Sequence, residues 1–339
     1  MNIFFLFRSD LRQLESYHKY YNLEDFEKNC WDFYLLQLLW LLKNNFLDEV
    51  VVWRLNPKMK NKDIIFNVGD KQFIQRWVDD FSNCINYKKP TTSFWRGGFE
   101  CYDKVTKKYP DFFGKKLYLA AGKRITPKWG GIYDKILVES EKDIMEKTGP
   151  FYKTSNPNIF YPIDKEKMYD LIWVCHGSQI SQKGQKFFIN EISKSKFLKT
   201  LNILHVGNKP EVGIKLCKEY NVSNIEFLGS FSRPELNKCI NLSKFGIVTS
   251  NKSDGCPRVI TEIMCTGTPL IIRKETRLLN YYKDSGVIEF SDDEIEKKIK
   301  FAFDNYDKLK KEAIDNIENK LRMDNICKMN LLVWNSPEP

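Results

Sequence analysis

The sequence predicts an α/β protein with two doubly wound domains that face each other across a cleft. Its 339 residues exceed the usual ~100–200 residues of one domain. Short apolar segments rich in β-branched and aromatic residues alternate with helical stretches, which is typical of parallel sheets covered by helices. Turn-forming residues between 157 and 165 interrupt this alternation, which then restarts. Both domains are therefore expected to be Rossmann-like.

Each predicted strand is a short apolar segment bounded by turn or helical sequence. In the first half these segments span residues 3–7, 50–53, 64–68, 117–121 and 136–138. In the second half they span residues 171–175, 201–206, 225–228, 245–249, 270–272 and 287–289. The interruption divides the chain into domains at 1–160 and 161–310. Residues 311–339 carry helical spacing, which predicts a helical tail that packs back towards the first domain.

Composition favours a cytoplasmic protein without a transmembrane segment. Nine cysteines without a Cys-x-x-Cys pair argue against a disulfide framework or a zinc ribbon. The start lacks the charged region of a signal peptide. The longest apolar run, residues 33–42, is shorter than the ~20 residues that span a bilayer. It predicts a helix buried under a sheet, with an interfacial membrane helix as the alternative.

The net charge is +10, and one basic cluster within residues 115–128 contains no acidic residue. Its members are Lys115, Lys116, Lys123, Arg124 and Lys128. Such a cluster could contact phosphate groups, an anionic membrane surface or nucleic acid. A solvated lysine surface is the alternative.

Ligands of an open parallel sheet bind beyond the carboxyl ends of its strands. In the first half, Arg8 and Ser9 follow the first predicted strand and are candidates for an acceptor side. Gly97 and Gly98 follow Phe94-Trp95-Arg96 and could form a turn whose missing Cβ atoms let a ligand approach the backbone. The alternative is an ordinary tight turn with a packed Trp95.

The most informative segment is Ser253-Asp254-Gly255-Cys256-Pro257-Arg258, followed by a helix predicted near 257–265 and by Gly267-Thr268-Pro269. Backbone amides at the helix start would form an anion site for a diphosphate. Asp254 and Glu262 bracket the helix and can accept hydrogen bonds from sugar hydroxyls. Taken singly, Asp254 could instead cap the helix and Glu262 could be an exposed helix residue.

This segment resembles the donor-site signature of the large family of retaining GT-B glycosyltransferases that includes the bacterial group-one enzymes. The resemblance covers residues 157–290 best and implies a GT-B fold. It implies that Asp254 binds the transferred sugar, that Glu262 binds the ribose, and that Lys183 of Lys183-Gly184 neutralises the leaving diphosphate. The implied donor site comprises Gly177, Ser178, Lys183, Gly207, Gly229, Phe231, Ser253, Asp254, Gly255, Cys256, Pro257, Arg258, Val259 and Glu262.

The sequence departs from the family pattern in the cleft of the first domain. The basic residue that commonly precedes Lys-Gly is absent, and so is the family's cleft histidine. Lys123 and Arg124 follow a predicted strand and are the expected catalytic replacements, acting with Lys183 and Asp254 on the donor. His176 also follows a strand, where either a satisfied histidine or a catalytic one fits.

The resemblance implies transfer of a sugar from a nucleotide-sugar to a saccharide, lipid-linked or small-molecule acceptor, with retention and without cofactor. The sequence contains no Asp-x-Asp motif, which favours a reaction without metal. Two alternatives stay open: a nucleotide-sugar epimerase or hydrolase on the same fold, and a non-catalytic cleft protein that binds nucleic acid or another anionic partner.

Overall fold

The computed structural model describes residues 1–8, 22–56, 63–96, 99–120, 132–144, 146–177, 180–254, 256–283 and 286–336. The chain divides into two compact units. Unit 1 comprises Met1–Glu139, Asp143–Tyr152 and Cys327–Pro339, and unit 2 comprises Ser140–Lys142 and Lys153–Ile326. The main division thus falls at 152/153 rather than at 160, and residues 311–326 of the expected tail group with unit 2.

Unit 1 contains a sheet that, within the described residues, has eight strands in the order β3-β4-β2-β1-β5-β6-β7-β8. All neighbouring pairs are parallel except β3 with β4. The strands are β1 (Asn2–Arg8), β2 (Glu49–Leu55), β3 (Asp63–Val68), β4 (Lys71–Val78), β5 (Thr92–Arg96), β6 (Lys115–Ala120), β7 (Lys135–Val138) and β8 (Thr148–Pro150).

Unit 2 contains a sheet whose described strands are all parallel, in the order β11-β10-β9-β12-β13-β14. They are β9 (Tyr169–Val174), β10 (Ile203–Val206), β11 (Ile225–Phe227), β12 (Ser243–Val248), β13 (Leu270–Arg273) and β14 (Val287–Phe290). All six coincide with predicted strands. Their apolar residues, with those of the covering helices, form one buried core.

Ten α-helices lie in the described part of the chain. They are α1 (Leu23–Asn29), α2 (Phe33–Lys43), α3 (Phe99–Lys108), α4 (Gln185–Lys194), α5 (Pro210–Tyr220), α6 (Arg233–Asn241), α7 (Arg258–Met264), α8 (Ile295–Asp304), α9 (Tyr306–Asn316) and α10 (Met323–Asn335). Short 3-10 helices span Phe81–Asn86, Glu141–Asp143, Leu198–Thr200 and Asn280–Tyr282, and a π-helical turn spans Ile317–Leu321.

One prediction for unit 1 was wrong. The segment 64–68 forms a strand, as predicted, but this strand, β3, is antiparallel to β4 because a two-residue hairpin turn joins them, with Gly69 at a φ of 64°. Phe94, Trp95 and Arg96 form the end of β5, and Trp95 is fully buried. Gly97 and Gly98 themselves lie outside the described residues.

The apolar run 33–42 forms α2, and most of its side chains are buried inside unit 1. This confirms the prediction of a helix buried under a sheet, and it leaves this helix without the exposed apolar face that an interfacial membrane helix needs. No helix in the described part of the chain is both long enough and apolar enough to cross a bilayer.

The carboxyl-terminal part of α10 belongs to unit 1. Asn330 Nδ2 donates to Gln37 Oε1 at 2.6 Å, and the Trp334 ring packs edge-on against Phe94 at 4.5 Å. Lys135 Nζ donates to the carbonyls of the last helical turn, and it is itself buried. Cations near the final carbonyls stabilise a helix through its dipole.

Candidate functional site

The candidate residues of unit 2 lie beyond the carboxyl edge of its sheet. The strand order reverses between β9 and β12, because β10 and β11 extend the sheet on one side and β13 and β14 extend it on the other. Such a switch point opens a crevice that binds ligands. The loop after β9 carries Lys183, and the loop after β12 carries Asp254.

Lys183 and Asp254 form an ion pair at this switch point. Lys183 Nζ lies 2.6 Å from Asp254 Oδ2, and the two side chains are only 18% and 9% exposed. Gln182 Nε2 donates to Asp254 Oδ1 at 3.3 Å. Asn251 joins the same two loops by donating its N–H to the Gln182 carbonyl at 3.0 Å. The residues expected to bind the diphosphate and the sugar therefore contact each other directly.

The glycine after Lys183 has a structural explanation. Gly184 has a φ of 68°, and a Cβ at this position would lie 2.0 Å from the carbonyl oxygen of Thr249. Only glycine permits this approach. The Thr249 hydroxyl also donates to the Lys183 carbonyl at 2.8 Å. The end of β12 thus fixes the backbone that presents Lys183.

Glu262 is buried in α7 and pairs with Arg233. The Glu262 side chain is only 3% exposed, and its Oε1 lies 2.6 Å from Arg233 Nη1. Arg233 is the first residue of α6, whose start is fixed by the Ser232 N–H donating to Glu235 at 2.8 Å. Glu262 is therefore not an exposed helix residue. The sequence alone does not pair Arg233 with Glu262, because the two residues lie 29 positions apart.

The start of α7 offers fewer amides than the sequence predicts. The Cys256 N–H donates to the Arg277 carbonyl at 2.8 Å, and Pro257 has no N–H. An anion site at this helix start would therefore use amides from Arg258 onwards. Pro257 is the N-cap and makes no side-chain cap, so Asp254 does not cap this helix. Gly255 lies outside the described residues.

Three glycines of the expected donor site differ in their surroundings. A Cβ at Gly207 would lie 1.8 Å from the Cys175 carbonyl oxygen, and one at Gly177 would lie 2.4 Å from that of Lys209. Gly229 has a φ of 65° with open space around it. Packing within the sheet edge thus explains Gly177 and Gly207 without a ligand. Beyond Gly229, Phe231 exposes 37% of its surface.

The remaining donor-site candidates differ in exposure. Ser253 and Arg258 are exposed, Val259 is half-buried, and Cys256 and Pro257 are buried. Ser178 lies outside the described residues. His176 is exposed, and its Nε2 lies 2.5 Å from Asn208 Nδ2, as expected of a satisfied histidine.

His205 is a buried neutral histidine within β10. It is 1% exposed, and its ring packs against Trp173 and Phe227 at centroid distances of 5.1 and 4.8 Å. Burial lowers the pKa of His205 to about 4. Burial also raises the pKa of the neighbouring Cys175 thiol to about 12, which leaves it unreactive at neutral pH.

His205 should make unit 2 less stable in acid. Below its ordinary pKa of 6.5 the unfolded chain binds a proton that the folded chain does not bind until about pH 4. The free energy of unfolding is therefore expected to fall as the pH drops from 6.5 to 4. Urea unfolding of a His205→Phe variant should show a shallower fall across this window. An equally steep fall would contradict the assignment.

Most acceptor-side and cleft candidates of unit 1 lie outside the described residues, namely Ser9, Gly97, Gly98, Lys123 and Arg124. Arg8 ends β1 at the carboxyl edge of the sheet. Two lysines of the basic cluster are engaged with carbonyls: Lys115 Nζ donates to Trp334 at 2.6 Å and Lys116 Nζ to Pro110 at 3.2 Å. Both lysines therefore also make structural contacts within unit 1.

A charged cluster at the carboxyl edge of the unit 1 sheet was missed from the sequence. Arg96 ends β5, and its guanidinium lies 3.9 Å from the centre of the Tyr34 ring and 3.4 Å from Asp32 Oδ2. Tyr34 also donates to Glu139, which follows β7. Burial, followed by the charge of Glu139, raises the pKa of Tyr34 well above its usual range. The four residues come from three separate segments, and no local motif marks them.

Comparisons with known proteins agree with this geometry. Residues 170–301 match the model of the family described as glycosyl transferases group 1. No curated protein sequence matches the chain significantly. Among solved structures, a glycosyltransferase from Rickettsia africae is similar over 99% of both chains, with 12% identity and a TM-score of 0.69.

Two further structures show the same two-domain fold. Sucrose-phosphate synthase from Thermosynechococcus elongatus is similar over 98% of both chains, with 12% identity and a TM-score of 0.62. HepE from Anabaena, solved with UDP and glucose, has the same coverage, identity and TM-score. Residues 170–301, which hold both ion pairs, thus match the group 1 glycosyl transferase model, and the chain as a whole has the GT-B fold.

Proposed function

We propose that the protein transfers a sugar from a nucleotide-sugar, bound at the carboxyl edge of the unit 2 sheet, to an acceptor. One observation carries this proposal: two ion pairs, Lys183 with Asp254 and Arg233 with Glu262, lie on the loops and helices that follow the strands at this edge. Both lie within the segment that matches the group 1 family. HepE is solved with UDP, and we propose that the sugar donor of this chain also carries a nucleoside diphosphate.

Lys183 acts on the leaving group in this proposal. Negative charge develops on the diphosphate as the sugar departs, and a fixed ammonium stabilises that charge. In the structure, Lys183 Nζ lies 2.6 Å from Asp254 Oδ2. When the donor binds, its diphosphate replaces this carboxylate beside Lys183 Nζ. Asp254 is then released to accept hydrogen bonds from the hydroxyls of the sugar. The ammonium supplies the charge that a divalent cation supplies in other transferases.

Glu262 binds the ribose in this proposal. Arg233 holds Oε1 of its carboxylate, and Oε2 accepts from the ribose hydroxyls. A buried carboxylate needs such a partner, because an uncompensated charge in a protein interior is costly. Phe231 lies two residues before Arg233 and exposes an aromatic surface on which a base can stack. The site therefore recognises the ribose, the base and the diphosphate with different side chains.

The finer features follow from the resemblance and are part of the proposal. We propose that the reaction retains the anomeric configuration, that it needs no cofactor, and that the acceptor is a saccharide, a lipid-linked sugar or another small molecule. Lys123 and Arg124 are proposed to add positive charge at the diphosphate. The protein is proposed to act in the cytoplasm.

The ribose contact gives a direct test. Thermal-shift screening with UDP, GDP, ADP and dTDP identifies the base, and calorimetry then compares the ribonucleotide with its 2′-deoxy analogue. Wild type should prefer the ribose form by about tenfold, the worth of one hydrogen bond to a charged group. Glu262→Gln should lose most of this preference.

Glu211→Gln is the matched control, since Glu211 is exposed in the first turn of α5. It should bind both nucleotides as wild type does. The proposal fails if no nucleoside diphosphate raises the melting temperature of the wild type. The assignment of Glu262 alone fails if its variant still prefers the ribose form.

A further inference from the structure

Cys256, at the start of α7, has a backbone conformation that its side chain disfavours. Its φ is 34°, in the left-handed region that glycine adopts most readily, and the residue is 3% exposed. Strained residues of this kind persist only where their surroundings hold them. Asp254 lies two residues before Cys256 and Glu262 six residues after it, so its conformation sets how the two acidic residues are presented.

Both backbone polar groups of Cys256 are held by other segments of unit 2. Its N–H donates to the Arg277 carbonyl at 2.8 Å. Its carbonyl accepts a hydrogen bond from Lys153 Nζ at 3.1 Å. Lys153 is only 8% exposed, so this ammonium is an internal contact and not a surface charge. Hydrogen bonds from a charged donor are stronger than those between neutral groups.

The backbone of Lys153 is itself anchored. The Lys153 carbonyl accepts from Tyr282 Oη at 2.8 Å, and the Lys153 N–H donates to the same oxygen. The next residues contact α7 directly: Ser155 Oγ lies 3.0 Å from Thr261 Oγ1, and Thr154 Oγ1 lies 3.3 Å from Cys265 Sγ. The segment 153–155 therefore runs along the helix that carries Glu262, and Lys153 reaches the start of that helix from a fixed base.

We propose that Lys153 is a positioning residue for nucleotide binding. Its ammonium holds the Cys256 peptide in the left-handed conformation and so fixes Asp254 and Glu262 relative to each other. This inference rests on the proposed function of the site. Without the ammonium, Cys256 relaxes towards a negative φ, the peptide turns, and the two carboxylates lose their common geometry.

A double-mutant cycle with glycine separates positioning from a general structural role. Glycine adopts the left-handed conformation at little cost, so Cys256→Gly removes the strain that Lys153 holds. Cys256→Ala is the matched control, because it removes the sulfur and keeps the Cβ that causes the strain. Lys153→Met removes the charge and keeps most of the side-chain length. The nucleoside diphosphate found in the thermal-shift screen is the probe, and calorimetry gives its affinity.

Lys153→Met should weaken nucleotide binding about tenfold, the effect of releasing one strained residue. The double variant with Lys153→Met and Cys256→Gly should bind the nucleotide within about twofold of the Cys256→Gly single variant. The double variant with Lys153→Met and Cys256→Ala should bind as weakly as Lys153→Met alone. The inference is overturned if Lys153→Met binds as wild type does, or if alanine restores binding as well as glycine.

Urea unfolding of the same six proteins, namely wild type, the three single variants and the two double variants, gives a test that does not depend on the ligand. Lys153→Met should lower the stability of wild type and of the Cys256→Ala variant by more than it lowers that of Cys256→Gly. Equal losses in all three backgrounds would overturn the positioning role even if nucleotides bind. Failure of wild type to bind any nucleoside diphosphate would instead refute the proposed function, and the unfolding cycle would still decide the role of Lys153.

Discussion

Replacement of Lys183 by methionine is expected to slow cleavage of the bond between the sugar and the diphosphate by about 100–1,000-fold at saturating donor. This is the loss typical when a group that stabilises developing charge is removed. Lys183 is the cation at the switch point that pairs with Asp254. Methionine keeps the apolar stem and removes only the charge. Steady-state kinetics with wild type and variant measure the effect.

Lys186→Met is the control for the loss of one lysine, because Lys186 is exposed on α4 only three residues away. It should turn over like wild type. Asp254→Asn provides the complementary result: it frees Lys183 from its carboxylate, so affinity for the nucleoside diphosphate should rise while transfer falls. If Lys183→Met kept full activity, the diphosphate role of this lysine would be wrong.

Replacement of Gly207 by alanine is expected to destabilise unit 2 by about 3 kcal/mol, the upper part of the range for overpacking a tight core site. The added Cβ would lie 1.8 Å from the Cys175 carbonyl oxygen, which belongs to the neighbouring strand end and cannot move freely. Urea unfolding followed by circular dichroism measures the change. The loss should appear in the absence of any nucleotide.

Gly229→Ala is the matched comparison. Gly229 has a φ of 65°, but nothing lies within 4 Å of the position of a Cβ. Its cost should therefore be only the ~1–2 kcal/mol of a left-handed non-glycine residue. Similar losses for both variants would show that close backbone approach does not explain Gly207.

The two sheets differed in how well the sequence predicted them, for a physical reason. The inner strands β10 and β13 of unit 2 are fully buried, so they read as nearly continuous apolar runs such as residues 270–272. In unit 1, β4 has paired apolar residues separated by the polar pairs Lys71-Gln72 and Gln75-Arg76, so its sequence shows neither a continuous apolar run nor a two-residue alternation. The three-residue β8 is too short to show a periodicity at all.

The candidate site was predictable where its residues are close in sequence. Asp254 and Glu262 share one loop and helix, and the resemblance marked them together with Lys183. Arg233 pairs with Glu262 across 29 residues, and Lys153 bonds to the Cys256 carbonyl across 103 residues, so only the fold brings these groups together. A local pattern also cannot separate a glycine needed for ligand approach from one needed for packing, and only the fold shows the close backbone contacts at Gly177 and Gly207.

The position of α10 has a consequence for the order in which the protein assembles during synthesis. Gln37 and Asn330 bond across 293 residues, and Lys135 reaches the final turn of the same helix. Unit 1 is therefore begun first on the ribosome but completed last, after residues 327–336 have emerged. Residues 153–326 can form the core of unit 2 in the meantime. A ribosome stalled before residue 327 would hold a finished unit 2 and an unfinished unit 1.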